Sequence, residues 1–279
     1  MNAPFIQVID NKSVALDEEP FPHKYLTDFL KPDFYSDICS LFDEILARGI
    51  VYAHDPFDKN RFKRFTYGYD AAYWQVPPDV GYPLNEFYSP QWIAYFSHLF
   101  GVNLTADISL TLHHQSQDSK PFTAHNDYCL IGMPKREDDD LRVKQYYFGS
   151  PSSGASPYFI QSVEEAEHLN LDVQMRSVVG IFYINNPPWK EGNGGETGLY
   201  DNYESYTLNR PSKRCPPISN SMLTFETSPA SFHTYLPNKA TVRNTLLFWL
   251  HSPYEHKIAR FNHIKPTEYS YTRNTKHDE

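Results

Sequence analysis

Two histidines and an aspartate, His125, Asp127 and His233, constrain the fold of this chain more than any other feature of it. The first histidine and the aspartate lie in PFTAHNDYCL, and the second histidine lies far downstream in SPASFHTYLPNKATVRNTLLFWL. Two imidazoles and one carboxylate on one face of a metal leave the opposite coordination positions open. That arrangement suits non-haem Fe(II) sites that bind oxygen and a co-substrate together. Residues i and i+2 of a strand point to the same side, so a strand through this motif lets His125 and Asp127 converge while Asn126 turns away. A third ligand so distant in sequence then requires two strands of a closed β architecture to meet around the ion. An HxD pair alone arises often by chance, and its weight here comes from the residues C-terminal to His233.

Beyond His233, PNK reads as a turn between two strands, and Arg243, Asn244 and Thr245 then open the apolar run LLFWL. The two-residue period puts Arg243 and Thr245 on one face. A guanidinium beside a hydroxyl is a good receptor for a carboxylate, because its planar fork donates two parallel hydrogen bonds where a lysine would supply charge alone. Upstream, IFYINNPPWKEGNGGETGLYD holds a strand, a tryptophan-bearing loop and then Gly194, Gly195, Glu196 and Thr197. No helix starts after the glycines, so they are expected to make a tight backbone turn and not a phosphate cradle.

With these motifs in order, the chain resembles the Fe(II)- and 2-oxoglutarate-dependent oxygenases, in particular their prolyl-4-hydroxylase-like branch. That branch carries HxD, a Y-hydrophobic-N strand leading to a GGE-T element, and a distal histidine followed by a basic residue. The resemblance covers roughly residues 107–252, with a weaker echo in PHKYLTDFLKPDFYSDICSLFDEIL. It implies Fe(II) held by His125, Asp127 and His233, with 2-oxoglutarate chelating the iron and its far carboxylate on Arg243 and Thr245. The resemblance also implies O2 as the oxidant and ascorbate as a stimulant. Many relatives place a tyrosine on the strand before HxD to help hold 2-oxoglutarate. Here that stretch reads ISLTLHHQSQDSKPFTAHND, so the role either passes to a strand histidine, which we assign as His114, or is absent. Related halogenases replace the aspartate with a small residue to admit chloride, so Asp127 favours hydroxylation, desaturation or ring formation.

Composition supports a mainly β chain with flanking helices: 21 Tyr, 19 Phe, 4 Trp and 22 Pro accompany only 21% charged residues. The strands VVGIFYIN, SMLTFE and TVRNTLLFWL suit a double-stranded β-helix, the jelly-roll core also used by cupins. A formal charge of −9 without a basic cluster argues against a nucleic-acid partner. Cys39, Cys129 and Cys215 are widely spaced and odd in number, which suits reduced thiols in a cytoplasmic protein. The start, MNAPFIQVIDNKSVALDEEP, lacks a signal-peptide pattern, and no apolar run approaches the ~20 residues of a membrane helix.

The whole chain, 1–279, reads as one oxygenase domain. Residues 1–105 form a helical and strand support, beginning with a loosely held leader over 1–20. KYLTDFL is a strand. Pro32 and Asp33 open a helix with Phe34, Ile38, Leu41, Phe42, Ile45 and Leu46 at helical spacing, and a serine-capped helix spans about 89–100. The β core occupies 106–252, interrupted over 131–175 by an insertion that is either a lid or a plain surface loop. Residues 253–279 are a C-terminal tail, polar and extended or frayed from Arg260 onward. Other histidines and aromatics, among them His113, His251, Tyr128, Tyr183, Trp189 and Trp249, are expected to pack in the core or line a pocket.

The leading reading is an oxygenase acting by C–H abstraction on a small molecule such as an amino acid or natural-product intermediate. A peptidyl hydroxylase of the same family is the alternative. A cupin-like dioxygenase or isomerase without 2-oxoglutarate would leave Arg243 without a purpose, and a non-catalytic β-sandwich binding module would leave the whole triad without one. The sequence leaves the oligomeric state open.

Overall fold

The computed structural model describes residues 5–6, 15–52, 60–64, 70–121, 124–135, 146–148, 159–160 and 163–264. Along the chain run β1 (His23–Leu26), α1 (Pro32–Ala47), β2 (Ile50–Tyr52), β3 (Phe62–Arg64), β4 (Ala72–Gln75), a 3-10 turn (Leu84–Tyr88) and α2 (Pro90–Phe100). The barrel strands come next: β5 (Ile108–Ser116), β6 (Leu130–Pro134), β7 (Tyr146–Phe148), β8 (Phe159–Ile160), then α3 (Val163–His168) and the long β9 (Leu171–Tyr183). After them come β10 (Thr197–Leu199), α4 (Tyr203–Thr207), β11 (Lys213–Cys215), β12 (Ser221–Glu226), β13 (His233–Tyr235), β14 (Val242–Pro253) and α5 (Tyr254–Arg260).

The two expected N-terminal helices form for local reasons. Pro32 sits in the first turn of α1 with Asp33 beside it, and Phe34, Ile38, Phe42 and Ile45 bury one stripe. In α2 the Ser89 hydroxyl accepts from Trp92 N at 3.3 Å, and Gly101 closes the helix at φ 61°.

The larger sheet runs β2-β3-β4-β5-β14-β9-β6-β7-β8, with β12 also on β9 and β1 on β12. The smaller sheet is β11-β10-β13. Its inner face and that of the larger sheet enclose Val179, Ile181, Tyr183, Leu199, Leu223 and Phe225. The opposite face of the larger sheet packs Leu112, Phe182, Leu246 and Phe248 on Ile38, Trp92 and Phe96 of the helices. This is the double-stranded β-helix that the alternating strands predict. Gly180 faces Phe248 across the β9–β14 pair, where an added Cβ would lie 1.9 Å from the ring. Only glycine fits there.

Three regions need correction or completion. Phe5 and Ile6 of the leader are buried, with Phe5 stacked 4.8 Å from Phe34, because an apolar pair next to an aromatic cluster gains more from packing than from solvent. The C-terminal tail opens with a helix for which the sequence reading had no expectation: α5 buries Ile258 against Tyr128 and Met175, and Lys257 donates to Glu226 at 2.9 Å. In the insertion, β6, β7 and β8 continue the larger sheet past β9, while 136–145, 149–158 and 161–162 lie outside the described residues, so the lid does as well. Residues 65–69 and the end of the tail, 265–279, also lie outside them.

Candidate active site

His125 and His233 are brought side by side by two backbone hydrogen bonds, His125 N to His233 O at 3.0 Å and His233 N to His125 O at 2.9 Å. Asp127 does not continue this pairing as a strand residue. Its φ is 54°, in the left-handed region that short polar residues tolerate. The convergence expected from a strand pleat is therefore made by a turn. Asn126 holds the turn: its side-chain oxygen accepts from Tyr128 N at 3.1 Å and its amide donates to Pro229 O at 3.1 Å. Ligand atoms of the three residues all lie within 4.8 Å of one another. His125 Nε2 is 3.8 Å from Asp127 Oδ1, and His233 Nε2 is 3.6 Å from Oδ2. The Nδ1–H of His233 points to Ser231 O at 3.0 Å, which leaves Nε2 as its donor atom for a metal.

Two residues outside the triad hold the carboxylate. Arg176 donates to Asp127 Oδ1, and Trp249 Nε1 donates to Oδ2 at 2.9 Å. The guanidinium also lies 4.3 Å over the Trp249 ring, so the three side chains close a triangle. Burial alone would raise the Asp127 carboxyl, but Arg176 and then the two histidines outweigh it and hold the group below its ordinary range. Burial, reinforced by His125, pushes His233 down to about 4. A neutral imidazole and an ionised carboxylate are the protonation states a divalent cation needs.

Arg243 lies on the same inward face of β14 as Thr245 and Trp249, by the two-residue period. Its Nε donates to Gly195 O at 2.7 Å, its Nη1 to Gln115 Oε1 at 2.7 Å and its Nη2 to Thr197 Oγ1 at 3.1 Å. The rings of Tyr183 and Tyr235 sit 5.4 and 5.5 Å from it. Gly194, at φ 70°, allows the turn that delivers the Gly195 carbonyl, since a Cβ there would lie 2.0 Å from Pro237 O. Two guanidinium N–H groups beyond these three bonds remain for a ligand. The Thr245 hydroxyl is fully buried with no hydrogen-bond partner among the described residues. Spare arginine donors beside an orphaned hydroxyl fit the far carboxylate of 2-oxoglutarate, and the triad's two nitrogens and one oxygen fit Fe(II).

Strand β13 links the two poles: His233 belongs to the triad, and Tyr235, two residues on, underlies Arg243. The assignment of His114 is corrected. His114 points to the other face of β5, where its Nδ1 meets Asn244 Oδ1 at 2.8 Å. The residues facing Arg243 and Thr245 across the β5–β14 pair are Gln115 and His113. Burial, then the Arg243 charge, drives His113 down to about 3, and its Nε2 shares a hydrogen bond with Thr111 Oγ1 at 3.0 Å. Arg176 and Gln115 escaped sequence reasoning, although Gln115 shares a strand parity with His113 that pairing to Arg243 would have disclosed.

A family model described as 2OG-Fe(II) oxygenase superfamily matches residues 158–251, the span that carries Arg176, His233 and Arg243. Over that third of the chain the sequence is similar to the 2OG-Fe(II) oxygenases. His125 and Asp127 precede the matched span. This oxygenase family uses Fe(II), 2-oxoglutarate and O2. Among solved structures, a Pseudomonas putida prolyl-4-hydroxylase is similar at 13% identity and a TM-score of 0.50, over 82% of this chain and 91% of that one. A Trichoplax adhaerens prolyl hydroxylase, in complex with a hypoxia inducible factor oxygen degradation domain peptide fragment, is similar at 14% identity and a TM-score of 0.50, over 85% of this chain and 86% of that one. These likenesses show the fold. No curated protein matches the sequence.

Proposed function

We propose that His125, Asp127 and His233 hold the Fe(II) of this oxygenase, and that Arg243 and Thr245 anchor the far carboxylate of 2-oxoglutarate. The observation that carries the reading is the meeting of three donor atoms within 4.8 Å through the His125–His233 bridge and the left-handed Asp127. When bound, iron, co-substrate and O2 supply the oxidising chemistry, with 2-oxoglutarate leaving as succinate and CO2. The protein fixes ligand orientation through Ser231, Arg176 and Trp249, and the barrel wall of Phe225 and Tyr183 keeps water away. Phe225 lies 4.6 Å from the His233 ring and so dries that side of the metal pole. The similarity to the 2OG-Fe(II) oxygenase model supports this reading over a cupin-like protein without 2-oxoglutarate and over a non-catalytic module.

The proposed substrate is a small molecule, such as an amino acid or natural-product intermediate, oxidised by C–H abstraction. A peptidyl hydroxylase is the second reading, favoured by the fold shared with a peptide-bound prolyl hydroxylase. Free thiols at Cys39, Cys129 and Cys215 suit a reducing, cytoplasmic setting, and no helix of the described residues is long and apolar enough to cross a membrane. Succinate formation measured against a panel of free amino acids and a panel of proline-containing peptides separates the two readings. The first expects stimulation by a free compound; stimulation by peptides alone would install the second.

A further inference from the structure

Gln115 is fully buried on the inward face of β5, directly across from Arg243 in the strand register. Its side-chain oxygen accepts from Arg243 Nη1 at 2.7 Å. The reverse amide orientation would set two donors against each other, so the arginine itself fixes which end of the amide is nitrogen. That leaves Nε2, a two-proton donor, buried with no hydrogen-bond partner among the described residues. Thr245 Oγ1, further along β14, is buried and unpartnered in the same way. Leaving a buried amide unsatisfied is costly, and a fold keeps such a group where a ligand completes it. The missing partner must be an acceptor. It must also tolerate the adjoining guanidinium, and an anionic oxygen satisfies both conditions.

We infer that Gln115 is a co-substrate-anchoring residue: its amide nitrogen donates to the far carboxylate of 2-oxoglutarate while its oxygen holds Arg243 in place, so that this chain selects a dicarboxylic 2-oxo acid with an amide. The inference rests on the reading of Arg243 as the carboxylate anchor. It also accounts for a strand that lacks a tyrosine and turns His114 to the opposite face. A hydrogen bond from a neutral donor to a charged acceptor is among the stronger ones in a protein, and it forms only with a ligand that owns the second carboxylate.

The test is direct binding without turnover. The Zn(II)-loaded full chain is titrated calorimetrically with 2-oxoglutarate and, separately, with pyruvate, which keeps the 2-oxo acid end and lacks the far carboxylate. Gln115→Leu is expected to weaken 2-oxoglutarate by about tenfold to a hundredfold and to change pyruvate binding by less than about threefold. Gln115→Glu keeps the acceptor for Arg243, nearly preserves shape and replaces the donor with a second anion; it is expected to lose at least as much. Arg243→Ala in parallel separates the two claims. If it abolishes 2-oxoglutarate binding while both Gln115 variants bind like wild type, the Gln115 inference falls and the anchor reading stands. If Arg243→Ala also binds normally, the anchor reading falls first. Equal losses of both acids in the Gln115 variants would assign the residue a structural role and overturn the inference.

Discussion

On the helix side of β14, Leu246, Phe248 and Leu250 are completely buried, with Phe248 5.1 Å from Trp92 and 5.0 Å from Phe96. On the barrel side of the same strand stand Arg243, Thr245 and Trp249, and nearly every polar atom there has a named partner. The apolar face needs only volume and shape, and its many small contacts add without regard to direction. The polar face survives burial because each charge is answered: three acceptors around Arg243, and donors on both oxygens of Asp127. What remains unanswered on that face is a set of donors at one end and lone pairs at the other. The surplus of the polar face therefore specifies its ligands, whereas the apolar face, having none, specifies only stability.

The sharpest way to break this comparison is Phe248→Ala. Removing a fully buried ring is expected to destabilise the fold by about 3–5 kcal/mol in urea denaturation, with 2-oxoglutarate affinity unchanged wherever the protein remains folded. A large loss of co-substrate affinity in the folded variant would mean that the two faces are not separable.

Acid should strike the polar face next. Burial holds His113 down to about 3 and His251 down to about 4, against 6.5 in an open chain. Below pH 6.5 the unfolded chain binds protons that the fold refuses, so stability falls with pH and keeps falling until those lower values are reached. Each histidine contributes about 1.4 kcal/mol per pH unit, so the pair costs about 2–3 kcal/mol between about pH 6 and pH 5. Denaturation midpoints across this range check it. A His113→Gln, His251→Gln double variant should show a shallower slope, and an unchanged slope would remove these two groups from the account.

Trp249→Phe probes the metal pole more gently. The ring that carries Arg176 is kept while the hydrogen bond to Asp127 Oδ2 is lost, and Co(II) affinity should fall by roughly ten- to a hundredfold. Affinity equal to wild type would show that Arg176 alone sets the carboxylate. The smallest effect belongs to His114→Ala, on the helix side of β5. Loss of its bond to Asn244 should cost about 0.5–1.5 kcal/mol of stability and leave 2-oxoglutarate affinity within about twofold. A tenfold loss of affinity would restore His114 to the site.

The barrel strands, both N-terminal helices, and the residues of the triad and of Arg243 with Thr245 were legible because each leaves a periodic or short-range mark. Alternating apolar runs disclose β9, β12 and β14, and the serine before Pro90 discloses α2. Side-chain facing was legible only where the pairing partner was known: adjacent histidines on β5 look equivalent until the register puts His113 opposite Thr245 and His114 opposite Asn244. The left-handed Asp127 was hidden for a different reason, since HND reads equally as strand or turn until the Asn126 bonds choose. Arg176 was invisible because its partner lies across the insertion, and no local pattern links it to Asp127.

The central claim, a metal at one end of the barrel interior and an anchor for the far carboxylate of its chelating co-substrate at the other, is tested most directly by anaerobic titration of the Fe(II)-loaded protein with 2-oxoglutarate, monitored by the weak visible charge-transfer band of the chelate. Wild type should develop the band, and Asp127→Ala, lacking a ligand, should not. Arg243→Ala should retain iron and develop the band only at co-substrate concentrations higher by a factor on the order of 30 to several thousand, since breaking a buried charge pair costs about 2–5 kcal/mol. A band that forms at the same concentration in Arg243→Ala, or persists in Asp127→Ala, would contradict the account.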